Sequence, residues 1–165
     1  MNNTKVALAI ICAPTDKEAE LLDRCLGGDL SNLSDRQKNI DLENVDGVAK
    51  HVDGLFITIT GKNENVEKVA KKYGAVVSYY DWDSDFSKAR NFNFSQVPNI
   101  YTHIYWADTD DVVANPHVIK PLAQKMQEDA TDAVTLTYLY EHDDEGNCIK
   151  RHLKTRLIKN DGCVE

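Results

Sequence analysis

The sequence predicts an α/β fold, with a mostly parallel sheet, helices on both faces and an antiparallel hairpin near the C-terminus. Three observations lead to this prediction. Short apolar runs alternate with helical segments along most of the chain. The first run, at residues 5–13, shows no polar alternation, as expected of a strand that is covered on both faces. The last two extended runs are joined by the polar turn DDEGN at residues 143–147, which indicates a hairpin.

Each predicted strand is a short apolar run that is bounded by turn-forming residues. Ligands on such sheets bind at the carboxyl ends of the parallel strands, so functional residues are expected there. We place strands at residues 5–13, 55–60, 75–79, 101–107, 132–140 and 148–159.

The predicted helices lie between residues that can cap them and residues that stop them. Gly27-Gly28 ends the first helix, and Pro116 lies in a first turn, where its missing N–H costs nothing. Residues 27–41 are polar and turn-rich, which indicates an irregular surface excursion, and residues 42–51 can form a short helix. The other helices, with their caps, are 16–26 (Thr15 or Asp16), 63–72 (Asn63 or Asn65), 85–97 (Ser84) and 116–128 (Asn115).

Composition limits the kinds of function that the chain can have. At 165 residues, it fits a single domain that covers residues 1–165. Its net charge of −8 and its scattered basic residues argue against a nucleic-acid footprint. No apolar stretch approaches the roughly twenty residues of a membrane span, and the first apolar run is too short for a secretory signal. Cys12, Cys25, Cys148 and Cys163 form no C-x-x-C pair, and buried thiols at the first two favour a cytoplasmic protein.

Three carboxylates follow the fourth predicted strand, in Asp108-Thr109-Asp110-Asp111. Carboxylates at a buried strand end repel one another, and a hard cation such as Mg²⁺ or Mn²⁺ relieves the repulsion and bridges them to phosphates. If the chain stays extended, Asp108 and Asp110 project to the same side and can serve one metal site. The alternative is an exposed acidic turn, or caps for the helix that begins near Asn115.

A second polar segment, YDWDSDFSKARN at residues 80–91, precedes the fourth strand. Phe86 and Arg90 share a helix face, and Asp85 lies in the first turn, where the helix dipole favours a carboxylate. The small Ala89 lets this helix pack closely, so that Arg90 can offer planar donors to a base, ribose or phosphate. The alternative is that Asp85 pairs with a surface lysine and that Arg90 is solvated.

Taken together, WDSDFSKARN at residues 82–91 and WADTDD at residues 106–111 resemble motifs of the family 2 glycosyltransferases of GT-A fold. Within that family they are similar to the branch that reads W-x-x-D-F-S-x-A-R-N and then D-x-D. The resemblance runs from an opening strand and helix that end in RCL to the segment RHLKTRLIKNDG. It covers nearly the whole chain, except for an apparent insertion at about residues 27–47.

This resemblance implies a metal-dependent, inverting, hexosyltransferase-like enzyme. Such an enzyme moves a sugar from a nucleoside-diphosphate sugar to a hydroxyl of a carbohydrate, protein or lipid acceptor, which a carboxylate deprotonates. The resemblance further implies that Asp110 holds Mn²⁺ or Mg²⁺ and that Asp108 faces the metal or the ribose. The other residues that it places at the donor nucleotide are Ala13, Pro14, Thr15, Glu18, Asp85 and Arg90.

Two departures from the family pattern bear on function. Ile59 stands where the family has an aspartate that recognises the base, so the base of the donor stays open. The chain also stops before the segment in which relatives carry a His-Glu carboxylate, and no residue matches a catalytic base. We therefore expect a fragment that contains the donor-binding half of a longer enzyme.

Two other functions stay open on the sequence. One is a non-catalytic module that binds a nucleotide-sugar or a sugar on the same fold. The other is a nucleotidyltransferase of related architecture, which needs a glycine-rich triphosphate loop after the first strand. Residues 13–18 read APTDKE instead, which disfavours that function.

Overall fold

The structure is a computed structural model that describes residues 3–33, 38, 42 and 44–162. Within these residues six strands form one sheet: β1 (Val6–Cys12), β2 (Gly54–Ile59), β3 (Val76–Tyr79), β4 (His103–Asp108), β5 (Ala133–His142) and β6 (Cys148–Lys159). The spatial order is β3-β2-β1-β4-β6-β5. The first four strands run parallel, and β6 pairs antiparallel with both β4 and β5.

Helices cover both faces of this sheet. Three of them, α1 (Asp16–Gly27), α2 (Glu64–Lys72) and α4 (Ile119–Glu128), pack on one face, and α3 (Phe86–Ser95) packs on the other. The predicted α/β fold, with its mostly parallel sheet and antiparallel C-terminal hairpin, is confirmed. Short 3-10 turns lie at Leu30–Asn32, Val48–His51 and Pro116–Val118.

The order of the parallel strands creates a crevice at the centre of the sheet. From β1 the chain moves outward through β2 and β3, and it then returns to place β4 on the other side of β1. At such a switch point the connections after the two central strands diverge, and the gap between them is the usual ligand site of open α/β sheets. Here the gap lies beyond Cys12 and Asp108, the last residues of β1 and β4.

The central strand β1 is buried on both faces, with different side chains on each. Large residues such as Leu8 and Ile10 lie in the core under α1, α2 and α4. Burying one such side chain stabilises the fold by about 1.5–3 kcal/mol. The opposite face presents Ala7 and Ala9 to α3, whose own Ala89 is 0% exposed. Small residues on both sides allow α3 to lie close to the sheet.

The caps of α1 and α2 match the predictions. The Thr15 hydroxyl accepts the N–H of Glu18 at 3.2 Å, and Gly28 ends α1 in the left-handed conformation. The Asn63 side chain accepts two backbone N–H groups at the start of α2. A side-chain cap of this kind contributes about 1 kcal/mol to stability.

The structure corrects the starts of two helices. Ser84 does not cap α3, because it adopts a left-handed conformation with a φ of 65°. The carboxylate of Asp85 caps the helix instead and accepts the N–H of Lys88 at 3.1 Å. A carboxylate is the stronger acceptor and also complements the helix dipole. The last helix begins at Ile119, after a 3-10 turn that starts at Pro116.

The predicted helix at residues 42–51 is wrong where the structure allows a comparison. Val48–His51 form only a 3-10 turn, which follows Gly47 at a φ of 69°, a conformation that α-helical residues do not adopt. Much of the apparent insertion at residues 27–47, namely 34–37, 39–41 and 43, lies outside the described residues.

Cys12 and Cys25 are buried free thiols, as predicted. Burial raises the pKa of each thiol to about 12, so both stay protonated at neutral pH. Cys163 lies outside the described residues. In the part of the chain that the structure describes, no helix combines the length and the apolarity that crossing a bilayer requires. A cytoplasmic location stays a prediction.

Gly28 and Gly74 form a matched pair for testing the packing beyond α1. Both have a φ of 74°. A Cβ at Gly74 would meet nothing within 4 Å, whereas a Cβ at Gly28 would lie 2.4 Å from the backbone nitrogen of Gly47. We expect Gly74→Ala to lower the free energy of unfolding by about 1 kcal/mol, the cost of a left-handed alanine.

Gly28→Ala should cost about 1–3 kcal/mol more than Gly74→Ala, because it adds a backbone clash to the same strain. Urea unfolding of both variants measures the difference. Equal losses would show that the backbone at Gly47 moves aside freely.

Candidate functional site

The strand β4 ends in a tight turn at the central crevice. The N–H of Asp111 donates to the Asp108 carbonyl oxygen at 3.1 Å, and the Asp111 carboxylate accepts the N–H of Asp108 at 2.9 Å. The chain therefore does not stay extended, and the expectation that Asp108 and Asp110 project side by side from a strand is wrong. Because the Asp111 carboxylate closes the turn, Thr109 and Asp110 occupy its two central positions.

Two arginines bracket the Asp108 carboxylate. Arg90 Nη2 lies 3.2 Å from Oδ1, and Arg156 Nη2 lies 2.9 Å from Oδ2. Arg90 comes from α3 and Arg156 from β6, so two elements that are distant in sequence meet at one carboxylate. Charge-assisted hydrogen bonds are roughly twice as strong as neutral ones, and together these two fix the orientation of Asp108.

An aromatic ring supports both arginines. The guanidinium groups of Arg90 and Arg156 lie 4.3 Å and 4.1 Å from the ring centroid of Trp106. Arg156 also lies 5.3 Å from the ring centroid of Tyr138. Planar guanidinium groups stack well on aromatic faces, and each contact contributes about 0.5–2 kcal/mol. The rings therefore orient both arginines independently of their ion pairs.

Asp111 is the most buried of the three carboxylates. It is 8% exposed, and its Oδ2 lies 3.1 Å from Arg156 Nη2. Burial raises the pKa of this carboxyl, and the N–H of Asp108 and the Arg156 guanidinium partly oppose the rise. Arg156 is thus the counterion of two carboxylates at once.

Residues of α1 hold the centre of the turn. The buried Thr109 hydroxyl donates to Glu18 Oε2. Arg24 is 6% exposed, and its Nη2 donates to the Asp110 carbonyl oxygen at 2.8 Å. Both contacts cross the gap between the connections that follow β1 and β4, so α1 and the turn form one unit.

The Asp110 carboxylate has no such support. Its side chain is exposed, and among the described residues it takes part in no hydrogen bond or ion pair. Because Arg24 donates to the Asp110 carbonyl oxygen, the backbone that carries the free carboxylate is held at the crevice. A carboxylate with free oxygens suits a ligand that brings positive charge.

The metal that the sequence implies fits this arrangement. Within the described ranges, no three His, Cys, Asp or Glu side chains converge as they would in a cage built from protein ligands alone. Mg²⁺ sites often use one or two carboxylates, several waters and the phosphates of a substrate, and they need no such cage. Asp110 can supply that carboxylate, while Asp108 is engaged by Arg90 and Arg156.

The predicted donor residues after β1 lie at the rim of the same crevice. Ala13 and Thr15 are exposed, and Pro14 is half-buried. Pro14 packs against Gly61, where a Cβ would lie 2.8 Å from the proline Cγ. Thr15 caps α1 through the N–H of Glu18, so this rim is held at both ends.

Asp85 and Ile59 do not contact the turn. The Asp85 carboxylate is engaged by the start of α3 and lies 3.6 Å from Lys88 Nζ. Asp85 therefore acts on the site by fixing the helix that carries Arg90. Ile59 is 0% exposed, and its side chain belongs to the core on the α1 side of the sheet. The side chain at this position therefore does not line the crevice.

A cavity of about 690 Å³ opens on the hairpin side of the turn. Its lining includes Asp110, Asp111 and Arg156, together with Tyr138 and Tyr140 of β5. Asp110 therefore lies where the central crevice and this cavity meet.

Arg24 and Arg156 were given no role at the site from the sequence, and Trp106 entered only as the first residue of the motif WADTDD. The sequence does place both arginines in segments that are expected to be buried. Arg24 lies beside Cys25 on α1, and Arg156 precedes an apolar pair in β6. A buried arginine needs a partner, but the sequence does not show which carboxylate or carbonyl group provides it.

Solved structures share this fold at low sequence identity. TarS of S. aureus, in a structure of its residues 1–349, has a TM-score of 0.50 and 15% identity, covering 85% of this chain and 36% of that chain. A 4-diphosphocytidyl-2C-methyl-D-erythritol synthase has a TM-score of 0.53 and 12% identity, covering 97% of this chain and 76% of that chain. The corresponding synthase from Anaerococcus prevotii has a TM-score of 0.53 and 11% identity, covering 96% and 71%.

A relative by sequence is a TPR repeat-containing protein of Synechococcus elongatus. It is 26% identical over 155 residues, which are 94% of this chain and 32% of that protein. The chain thus spans about a third of the length of this relative. No protein-family model matches the chain.

These neighbours show a GT-A-like, Rossmann-like fold of the kind that nucleotide-sugar enzymes use.

Thr109 and Glu18 test whether α1 and the turn form one unit. Thr109→Val keeps the shape but removes the donor, and Glu18→Ala removes the acceptor. A hydrogen bond to a charged group contributes about 1.5–3 kcal/mol. We therefore expect the double variant to lose about 1–2 kcal/mol less unfolding free energy than the sum of the single losses.

The matched control pairs Glu18→Ala with Thr137→Val, an exposed position in β5. In this control pair, the losses of unfolding free energy in the two single variants should sum to the loss in the double variant within about 0.5 kcal/mol. If the first pair were additive as well, the contact would not link α1 to the turn.

Proposed function

We propose that this chain is the donor-binding part of a metal-dependent, inverting glycosyltransferase that uses a nucleoside-diphosphate sugar. The observation that carries the proposal is the turn at residues 108–111. Four contacts fix its backbone and its two other carboxylates, which leaves the Asp110 carboxylate free at the switch point of the sheet. A site of this form suits a ligand that combines a cation with phosphate oxygens.

In this proposal Asp110 holds Mn²⁺ or Mg²⁺ together with the diphosphate of the donor. A metal bound there supplies electrostatic stabilisation of the diphosphate as it leaves. The protein contributes a carboxylate whose backbone is already in place, because Arg24 fixes the Asp110 carbonyl. Less reorganisation is then needed when the donor binds.

The donor nucleotide is assigned to the crevice beside this turn. Asp108 offers carboxylate oxygens to the ribose hydroxyls, and Arg90, at 18% side-chain exposure, lies beside them. The exposed rim at residues 13–15 forms the wall of the nucleotide pocket. Glu18 and Asp85 support the pocket through the turn and through the start of α3.

Membership of glycosyltransferase family 2 is part of the proposal. It is supported by the two sequence motifs, whose residues Arg90 and Asp108 are in direct contact. It is also supported by the likeness of the fold to that of TarS. A hexose donor and an acceptor hydroxyl on a carbohydrate, protein or lipid belong to the same proposal.

A second candidate is a module that binds the nucleotide-sugar without turning it over. The observation that favours it concerns the hairpin tip, where the Asp143 carboxylate accepts the N–H groups of Glu145 and Asn147. That carboxylate stabilises a turn and is not available as a base. In this case the chain would bind donor at the same crevice and release it unchanged.

Calorimetric titration with nucleoside diphosphates and their sugars, with and without Mn²⁺, tests the proposal. We compare the wild type with Asp110→Asn, which keeps the shape of the side chain and removes its charge. The control is Asp129→Asn, at the end of α4, where the carboxylate pairs with the exposed Lys125.

We expect one nucleotide to bind more tightly with Mn²⁺, and Asp110→Asn to lose at least about tenfold in that affinity, or about 1.4 kcal/mol. The control should bind as the wild type does. Binding that is indifferent to both the metal and Asp110, or no binding by folded protein, would contradict the proposal. Binding without donor hydrolysis or transfer would favour the non-catalytic module.

A further inference from the structure

The turn at residues 108–111 concentrates negative charge beside a buried strand end. Asp111 is 8% exposed, and the Asp108 carboxylate lies close enough to share the same guanidinium nitrogen. A buried carboxylate is costly unless it is paired, and two that lie together also repel each other. The geometry of the turn therefore depends on a cation placed between Asp108 and Asp111.

Arg156 provides that cation. Its Nη2 lies 2.9 Å from Asp108 Oδ2 and 3.1 Å from Asp111 Oδ2. The residue is only 4% exposed, and its guanidinium is held against Trp106 at 4.1 Å and Tyr138 at 5.3 Å. Because the carboxylates, Trp106 and Tyr138 hold the Arg156 guanidinium from three sides, it cannot move with a ligand.

The two arginines that pair with Asp108 therefore have different roles. Arg90 forms an ion pair with Asp108 and stacks on Trp106, and it keeps 18% of its side chain exposed, against 4% for Arg156. Arg90 can turn towards a bound anion, and Arg156 then still balances Asp108 and Asp111.

We infer that Arg156 is a positioning residue, which holds Asp108 and Asp111 so that the turn presents Asp110 to the ligand. The inference rests on the proposed function for the identity of that ligand. Arg156 contacts neither metal nor donor in this arrangement, and it acts through the turn alone. Arg156 lies in the segment RHLKTRLIKNDG, outside the two site motifs WDSDFSKARN and WADTDD.

The test compares Arg156→Met with the double variant Arg156→Met/Asp111→Asn. The single change leaves Asp111 as a buried carboxylate without its counterion, whereas the double change removes that carboxylate charge as well. The control is Arg151→Met, an exposed arginine of the same strand, opposite Leu139. Nucleoside-diphosphate affinity with Mn²⁺ is measured by calorimetry on each protein, with unfolding followed in parallel.

We expect Arg156→Met to weaken the Mn²⁺-dependent affinity at least tenfold, the double variant to recover part of that loss, and the control to show none. A folded Arg156→Met protein that binds as the wild type does would overturn the inference. A double variant that regains stability but not affinity would also overturn it, because the arginine would then be needed at the ligand and not at the turn.

A second readout separates this inference from the proposed function. The N–H groups of Asp108 and Asp111 both donate within the turn, and their hydrogen exchange reports its geometry without any ligand. Arg156→Met should speed exchange at these two amides more than at Leu8 in β1. If the wild type binds no nucleotide, the proposed function fails, and this comparison still decides the role of Arg156. Equal acceleration at all three amides would reduce that role to general stability.

Discussion

The carboxylates of Asp108 and Asp111 can lie together at the end of a buried strand only if positive charge is brought to them. Much of the architecture around β4 meets this requirement. The hairpin returns with β6, and not β5, beside β4, which places Arg156 next to Asp108 and Asp111. On the other face, Ala7 and Ala9 of β1 let α3 lie close to the sheet, and α3 carries Arg90 to the same carboxylate. The ring of Trp106 packs against both guanidinium groups, whose centres lie 4.3 Å and 4.1 Å from its centroid.

The site is therefore assembled from elements that are far apart in the chain, and it is largely formed before any ligand binds. The turn receives contacts from α1, α3 and β6. Asp85 does not contact the turn, but it caps the start of α3, the helix that carries Arg90. Charged and polar groups that are held in place by packing need little rearrangement when charge develops in a reaction. Such preorganisation suits a donor whose diphosphate must be held while a bond breaks.

The sequence predicted the fold well because its signals are local. The apolar run of β1, the alternation of strands and helices, and the caps at Thr15 and Asn63 each depend on neighbouring residues. The cap of α3 was misassigned by one residue, because Ser84 and Asp85 both have capping side chains and only the backbone at Ser84 separates them. At the site, Arg90 and Asp108 were found through their motifs. The tight turn and the role of Arg156 were not predicted. Both depend on which strands become neighbours in the sheet, and local sequence patterns do not determine this.

The hydrogen bonds from α1 to the turn have a wider consequence. Glu18 and Arg24 lie at opposite ends of this helix, and each holds one of the two central residues of the turn. The helix thus contacts both central residues of the turn, and any tilt or fraying of α1 displaces the Asp110 carboxylate. By thermodynamic linkage the reverse also holds. A ligand that binds at the tip of the turn and favours its present geometry therefore also stabilises α1, a helix that the ligand does not contact.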